Sequence, residues 1–115
     1  MFPKCARLLA SADYRRVTGP GRKGVSPHFL LFVRFEPAIH EPRLGMTVSR
    51  KVGNAVVRNR VKRVIREFFR LNRVRFDPSL ECVVISRPRA GRTANTVLTQ
   101  SLTQLFLPYG SPKSE

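Results

Sequence analysis

The chain has 115 residues and carries 22 Lys and Arg against 7 Asp and Glu, which gives a formal net charge of +15. This length predicts one domain with a core of its own, and the 42% apolar share argues against wholesale disorder. Self-repulsion on this scale weakens a compact fold unless a polyanion relieves it. Nucleic acid is therefore the first candidate partner, and an anionic membrane surface is the rival. Of the cations 17 are Arg, a bias that fits bidentate phosphate binding but that genome base composition would explain equally well.

The cellular compartment follows from the cysteines and from the apolar runs. No segment reaches the roughly 20 apolar residues of a membrane span, and the first residues lack the apolar run of a signal peptide. Cys5 and Cys82 are too few and too far apart for a metal knuckle or a disulfide framework. These features predict a soluble, cytoplasmic protein that does not engage a membrane.

The N-terminal half of the chain predicts a short helix and two strands. A helix over 12–17 would begin at the N-cap Ser11 and end at the Gly and Pro residues of "TGPGRKG". Residues 28–36 alternate at period two and predict a strand, as do residues 43–50. The first strand would place Phe29, Leu31, Val33 and Phe35 on one face, with His28, Leu30, Phe32 and Arg34 on the other.

In the C-terminal half the apolar period changes to 3.6. Asn54 is expected to cap a long central helix that runs to about Asn72. Residues 81–87 predict a buried strand, residues 88–92 a basic loop, and a last helix begins at Asn95 or Thr96 and stops before Pro108. The fold class is therefore α+β, a single small domain over 1–115 with a mixed sheet backed by the central helix and a frayed tail over 109–115.

The central helix has one apolar and one basic side. A helical wheel groups Val57, Val61, Val64, Ile65, Phe68 and Leu71 in a stripe that should face the core. The adjoining arc holds Arg58, Lys62, Arg63, Arg66 and Arg70, with Asn59 among them and Arg60 just beyond. Like charges at i, i+4 spacing are unfavourable on a solvated helix, so this face predicts a bound phosphate backbone.

The pattern alone leaves the kind of nucleic acid open. No helix-turn-helix, zinc finger or zipper surrounds the helix, which disfavours DNA but does not decide the matter. Tyr14 and Phe32 either stack on single-stranded bases or belong to the core. Arg87, Arg89 and Arg92 either extend the basic surface or form a solvated loop.

One long motif resembles a known family. "GMTVSRKVGNAVVRNRVKRVIREFF", residues 45–69, is similar to the signature of the bacterial ribonuclease P protein family. "KCARLLASADYRRV", "HFLLFVRF" and "CVVISRPRAG" also resemble segments of that family, so the likeness covers most of the chain. It implies N- and C-terminal helices around a sheet of about four strands, in the order α-β-β-β-α-β-α, with a left-handed βαβ crossover.

The resemblance also implies an activity. In that family the RNA subunit is the catalyst and cleaves precursor tRNA with Mg²⁺ to make the mature 5′ end. The protein, one copy per RNA subunit, would bind that RNA and the 5′ leader of the substrate, with no DNA partner, no catalytic side chain and no metal ligand of its own. The alternatives are a stand-alone basic RNA- or DNA-binding protein and a protein-only nuclease. The last is disfavoured because seven scattered acids do not form a two-metal site.

Matched to the family motif, the residues expected to bind the catalytic RNA are Arg50, Lys51, Asn54, Arg58, Asn59, Arg60, Lys62, Arg63 and Arg66. Tyr14 and Phe32 match aromatic positions of the family's leader cleft. Thr18 stands where the family commonly has a second aromatic residue, so leader stacking should depend more on Tyr14 and Phe32.

Overall fold

The fold was analysed in a computed structural model, which describes residues 17–19 and 22–109. In chain order its elements are β1 (Arg22–Val25), β2 (Phe29–Phe35), β3 (Arg43–Thr47), α1 (Ala55–Asn72), β4 (Leu80–Ser86) and α2 (Asn95–Phe106). Short 3₁₀ turns follow α1 at Arg73–Arg75 and β4 at Pro88–Arg92. The predicted N-terminal helix and frayed tail lie almost wholly outside the described residues. Of that predicted helix, the structure describes only Val17, which is helical, as is Thr18 after it.

The four strands form one mixed sheet in the order β1-β2-β4-β3. β1 pairs with β2 and β2 with β4 in antiparallel fashion, whereas β3 runs parallel to β4. Parallel neighbours need a crossover connection, and α1 supplies it between β3 and β4. The predicted α+β class with a four-stranded mixed sheet is confirmed. Alternation located β2 and β3, and a buried apolar run located β4, whereas β1 is too short and too polar to show either pattern.

Both helices pack on one face of the sheet. This face receives Phe29, Leu31 and Val33 from β2, all essentially inaccessible to solvent, as the alternation predicted. The Phe68 ring of α1 lies 5.4 Å from the Phe106 ring of α2, centroid to centroid. The apolar stripe of α1 is thereby fixed against the core, and its opposite side faces outward.

Two positions assigned to the core by periodicity are exposed. Leu71 is 60% exposed because it lies near the end of α1, on the side that faces an open groove towards α2. Phe69 is buried instead, because the turn after α1 brings the Phe76 ring to 5.5 Å from it. Phe35 is 41% exposed because it is the last residue of β2, where cover from the helices ends.

The other face of the sheet carries a second, smaller apolar cluster. Val17 and Val83 are buried there, with Phe32 and Ile85 packed against them. On the same face Glu81 is fully buried and forms ion pairs with Arg34 of β2, at 3.3 Å, and with Arg43 of β3. Because buried carboxylates are costly unless paired, Glu81 ties β2, β3 and β4 together at this end of the sheet.

Candidate nucleic-acid interface

The turn that leads into α1 is built around a glycine. Gly53 has a φ of +157°, and a Cβ there would lie 2.8 Å from the Val57 side chain. Asn54 then begins the helix as predicted, since its Oδ1 accepts a hydrogen bond of 3.0 Å from the Val57 backbone N–H. Arg50 and Lys51 project from this turn and are exposed. The turn therefore places two cations beside the helix N-terminus, where free N–H groups and the helix dipole favour an anion.

The outward side of α1 is basic and unpaired. Arg63 and Arg66 are exposed, and Arg58 and Lys62 are partly exposed beside them. We refer to these four residues as the basic face of α1. None of them forms an ion pair with a carboxylate in the part of the chain that the structure describes. Within the described chain, Arg58 donates only its Nε–H, in a hydrogen bond of 3.2 Å to the Gly53 carbonyl.

Charge compensation on α1 begins only at its C-terminal end. Glu67 and Arg70 form an i, i+3 pair on the exposed surface, and this hydrogen bond lowers the pKa of the Glu67 carboxyl and raises the pKa of Arg70. Arg73, the first residue of the 3₁₀ turn after α1, forms an ion pair with Glu41. Arg70, which the wheel placed in the basic arc, is thus partly neutralised. The uncompensated charge lies on the first three turns of the helix.

Arg60 has a role that the sequence pattern did not reveal. Its Nη2 donates to the Gly91 carbonyl at 2.9 Å, and its Nη1 donates to the Thr93 carbonyl at 3.0 Å and to Asn95 Oδ1 at 2.7 Å. The guanidinium therefore connects α1 to the segment between β4 and α2. The resemblance grouped Arg60 with the RNA-binding residues, whereas its two Nη groups are used to hold this segment. Only a tertiary contact could have shown this.

The segment after β4 packs directly against the turn that precedes α1. A Cβ on Gly91 would lie 1.9 Å from the Val52 carbonyl oxygen, so only glycine permits this approach. Arg89 and Arg92 extend from the same 3₁₀ turn and are exposed. The basic turn 50–54, the basic face of α1 and the arginines of 88–92 are therefore neighbouring parts of one surface.

The predicted leader-binding aromatics lie elsewhere. Phe32 is on the sheet face away from the helices, partly buried against Val17 and Val83. The Lys23 ammonium lies 5.8 Å from the Phe32 ring centroid, within the range of a cation–π contact. Periodicity did not identify Lys23, because β1 itself was not recognised. Tyr14 lies outside the described residues.

The described residues offer little to a metal ion. No group of three or more His, Cys, Asp or Glu side chains stands close enough to hold one within residues 17–19 and 22–109. Burial raises the pKa of the Cys82 thiol, with a further contribution from the charge of Glu81, which disfavours the thiolate form that binds metals. Among the helices described here, none has the length and apolar character needed to cross a membrane.

Comparison with known proteins gives a consistent result. Residues 2–110 match the family model described as Ribonuclease P. A ribonuclease P protein component from Syntrophus aciditrophicus is 45% identical over 84 residues, which is 73% of this chain and 70% of the relative. One from Desulforapulum autotrophicum is 36% identical over 105 residues, 91% of this chain and 89% of the relative.

Solved structures give the same match in three dimensions. The RNase P protein of Staphylococcus aureus superimposes with a TM-score of 0.84 at 31% identity, covering 90% of this chain and 94% of that one. The RNase P protein of Thermotoga maritima gives a TM-score of 0.75 at 29% identity, covering 86% and 93% of the two chains.

Proposed function

The chain belongs to the ribonuclease P protein family, and from this membership and the geometry of its basic surface we propose that it binds the catalytic RNA subunit through the turn 50–54 and the basic face of α1. The family's role is that of the protein subunit in tRNA 5′-end processing, within an endoribonuclease holoenzyme. In the proposed holoenzyme the RNA carries out the cleavage and one copy of this protein assists it, in the cytoplasm.

One observation carries the proposal above all others. The first three turns of α1 expose cations of a single sign that no described carboxylate neutralises, while the buried stripe fixes the direction in which they point. Phosphates of a folded RNA would remove the repulsion between these side chains and release counterions on binding. Next to these cations lie Arg50, Lys51 and Asn59. Asn54 lies there too, but its side chain already caps the helix.

The substrate would be reached through the other face of the sheet. Phe32 and Lys23 together present a ring and an ammonium group, the combination that a single-stranded leader requires for stacking and for phosphate contact. We propose that the 5′ leader of precursor tRNA passes over this face. Tyr14 would contribute a second ring. The Mg²⁺ ions of the holoenzyme would be held mainly by RNA and not by side chains of this protein.

Reconstitution tests the proposal against its two alternatives. Purified protein, with and without the catalytic RNA, is incubated with precursor tRNA at moderate Mg²⁺. The expected result is cleavage that requires the RNA and that the protein stimulates. Cleavage by the protein alone would instead establish a protein-only nuclease. No effect of the protein on the RNA's activity would favour a stand-alone binding protein.

Two variants separate the RNA surface from the leader surface. Arg63→Ala combined with Arg66→Ala should weaken binding to the catalytic RNA and lower its dependence on salt. Phe32→Ala should leave that binding unchanged but reduce the preference of the holoenzyme for precursor over mature tRNA. If Phe32→Ala weakened the binding of precursor and mature tRNA equally, Phe32 would not belong to the leader surface. The assignment of Arg63 and Arg66 to the RNA surface would be unaffected.

A further inference from the structure

An open pocket of about 630 Å³ lies beside the basic surface, between the turn that joins β1 to β2 and the 3₁₀ turn after β4. It is lined by Pro27, His28, Arg89, Arg92 and Thr93. None of these residues belongs to the long motif from residue 45 to residue 69, although His28 and Arg89 lie in shorter segments that also resemble the family. The pocket is therefore a feature that the proposed function has not yet used.

The walls of this pocket are held in place by hydrogen bonds. The Arg87 backbone N–H donates to the His28 carbonyl at 2.8 Å, and its guanidinium donates to the Ser26 carbonyl at 2.9 Å. These two bonds connect one wall to the other. On the far side Arg60 holds the carbonyls of Gly91 and Thr93. Arg89 and Arg92 thus extend from a backbone whose position is fixed before any ligand arrives, which lowers the entropic cost of binding.

Three side chains of the pocket have polar atoms without partners, whereas the Thr93 hydroxyl donates to the Arg89 carbonyl at 2.8 Å. The Arg89 and Arg92 side chains are exposed and form no ion pair or side-chain hydrogen bond with any residue that the structure describes. The Nδ1 atom of His28 is buried and likewise has no hydrogen-bond partner within the described chain. Buried polar atoms are nearly always paired in folded proteins. Two guanidinium forks without acceptors call for an anion with several oxygens, and a phosphate has that form.

We propose that this pocket binds one backbone phosphate of the RNA subunit, held jointly by Arg89 and Arg92 with His28 at its wall. The assignment to the RNA subunit follows from position, because Gly91 touches Val52 and so makes the pocket continuous with the turn 50–54. This inference rests on the proposed function and adds to it a phosphate site outside the family motif.

The test is the salt dependence of binding between the intact protein and the catalytic RNA. Arg89→Gln and Arg92→Gln should each lower affinity roughly three- to tenfold and reduce the slope of log K against log salt by roughly 0.7–0.9, the value of one phosphate contact. Because both side chains hold the same phosphate, the double variant should lose no more slope than either single variant. Arg75→Gln removes an exposed cation at the far end of α1 and should change neither quantity.

A direct probe uses the free protein and inorganic phosphate. Titration followed by NMR should shift the guanidinium resonances of Arg89 and Arg92 and the ring resonances of His28, and the Arg89→Gln variant should abolish the shifts. Slopes that add in the double variant would indicate two separate contacts and overturn the shared site, as would wild-type slopes in both single variants. Binding of precursor tRNA to the assembled holoenzyme should be unaffected by either change. A loss confined to that step would assign the phosphate to the substrate and contradict the proposal.

The failure of this inference and the failure of the proposed function give different results. If Arg63→Ala with Arg66→Ala weakens RNA binding while the pocket variants do not, only the pocket assignment is wrong. If the wild-type protein does not bind the catalytic RNA in a salt-dependent manner, the proposed function itself is wrong.

Discussion

Replacing Arg60 with alanine should destabilise the protein, although this residue belongs to a motif expected to contact RNA. The substitution removes three hydrogen bonds that join α1 to the carbonyls of Gly91 and Thr93 and to the Asn95 side chain. Hydrogen bonds to charged groups contribute about 1.5–3 kcal/mol each, and two carbonyls are left to find water instead. Because Arg60 is partly exposed, water recovers much of this loss. We expect a net decrease of about 1–3 kcal/mol in the free energy of unfolding.

The assay is urea or thermal unfolding followed by circular dichroism. For a domain of this size the loss corresponds to a fall in Tm of roughly 4–15 °C. Arg63→Ala is the matched control, because it removes an exposed arginine three residues further along α1 that has no partner among the described residues. Its free energy of unfolding should change by no more than about 0.5 kcal/mol. Arg60→Lys should restore little, since an ammonium group cannot span two carbonyls as a fork does.

Binding to the catalytic RNA should separate these two arginines in the opposite way. Arg63→Ala should lower both the affinity and the salt slope, whereas Arg60→Ala should lower the affinity through displacement of the 88–92 turn and change the slope less. The reasoning would be refuted if Arg60→Ala unfolded like the wild type and yet reduced the slope of log K against log salt by the amount expected for one phosphate contact. Arg60 would then be a phosphate ligand whose internal hydrogen bonds carry no stability.

Three further predictions concern single positions. Gly53→Ala should lower the free energy of unfolding by about 1–3 kcal/mol, measured in urea, because its φ of +157° and its distance to Val57 leave no room for a Cβ; an unchanged value would contradict the strained turn. In a Cys5→Ser background the Cys82 thiol should react with a disulfide reagent only as fast as the protein opens, because burial raises its pKa; rapid reaction in the native state would argue against that burial. Glu67→Gln should lower Tm slightly at neutral pH. The folded pKa of Glu67 is depressed by Arg70, so its contribution is present above the unfolded pKa and disappears as pH falls through the folded pKa, and a difference in Tm that persists in acid would count against the pair.

The elements that the sequence predicted best are those in which local and tertiary preferences agree. Asn54 was identified as an N-cap from its type and position, and the structure shows the expected hydrogen bond to Val57. The stripe of α1 was correct over its buried residues and wrong at Leu71, which faces the open groove towards α2. Helical periodicity states which residues share a side, but it does not state how far the neighbouring element extends.

The features that the sequence could not predict depend on contacts between distant segments. The contact between Gly91 and Val52 and the bonds from Arg60 to residues 91–95 join parts of the chain about thirty or more positions apart. β1 escaped detection because a strand of four mostly exposed residues needs no apolar alternation and is specified by its pairing with β2. The pocket beside Arg89 and Arg92 follows from the same contacts and was not predictable from a basic loop.

The excess of arginine over lysine is easier to understand once each guanidinium has a position. Arg60 caps two carbonyls and an amide oxygen, and Arg87 binds the Ser26 carbonyl. A lysine in place of Arg60 would be a single point charge that could not bridge three acceptors as the planar guanidinium does. By contrast, Arg63 and Arg89 face solvent with their donors unused by the described chain. Apart from the arginines that form ion pairs with carboxylates, such as Arg34 and Arg70, these side chains divide into those that fix the backbone of the basic surface and those whose donors remain available to the proposed phosphate. Genome base composition would favour arginine in both groups alike, whereas the structural role is confined to the first group. Replacement by lysine should therefore lower the free energy of unfolding only in the first group.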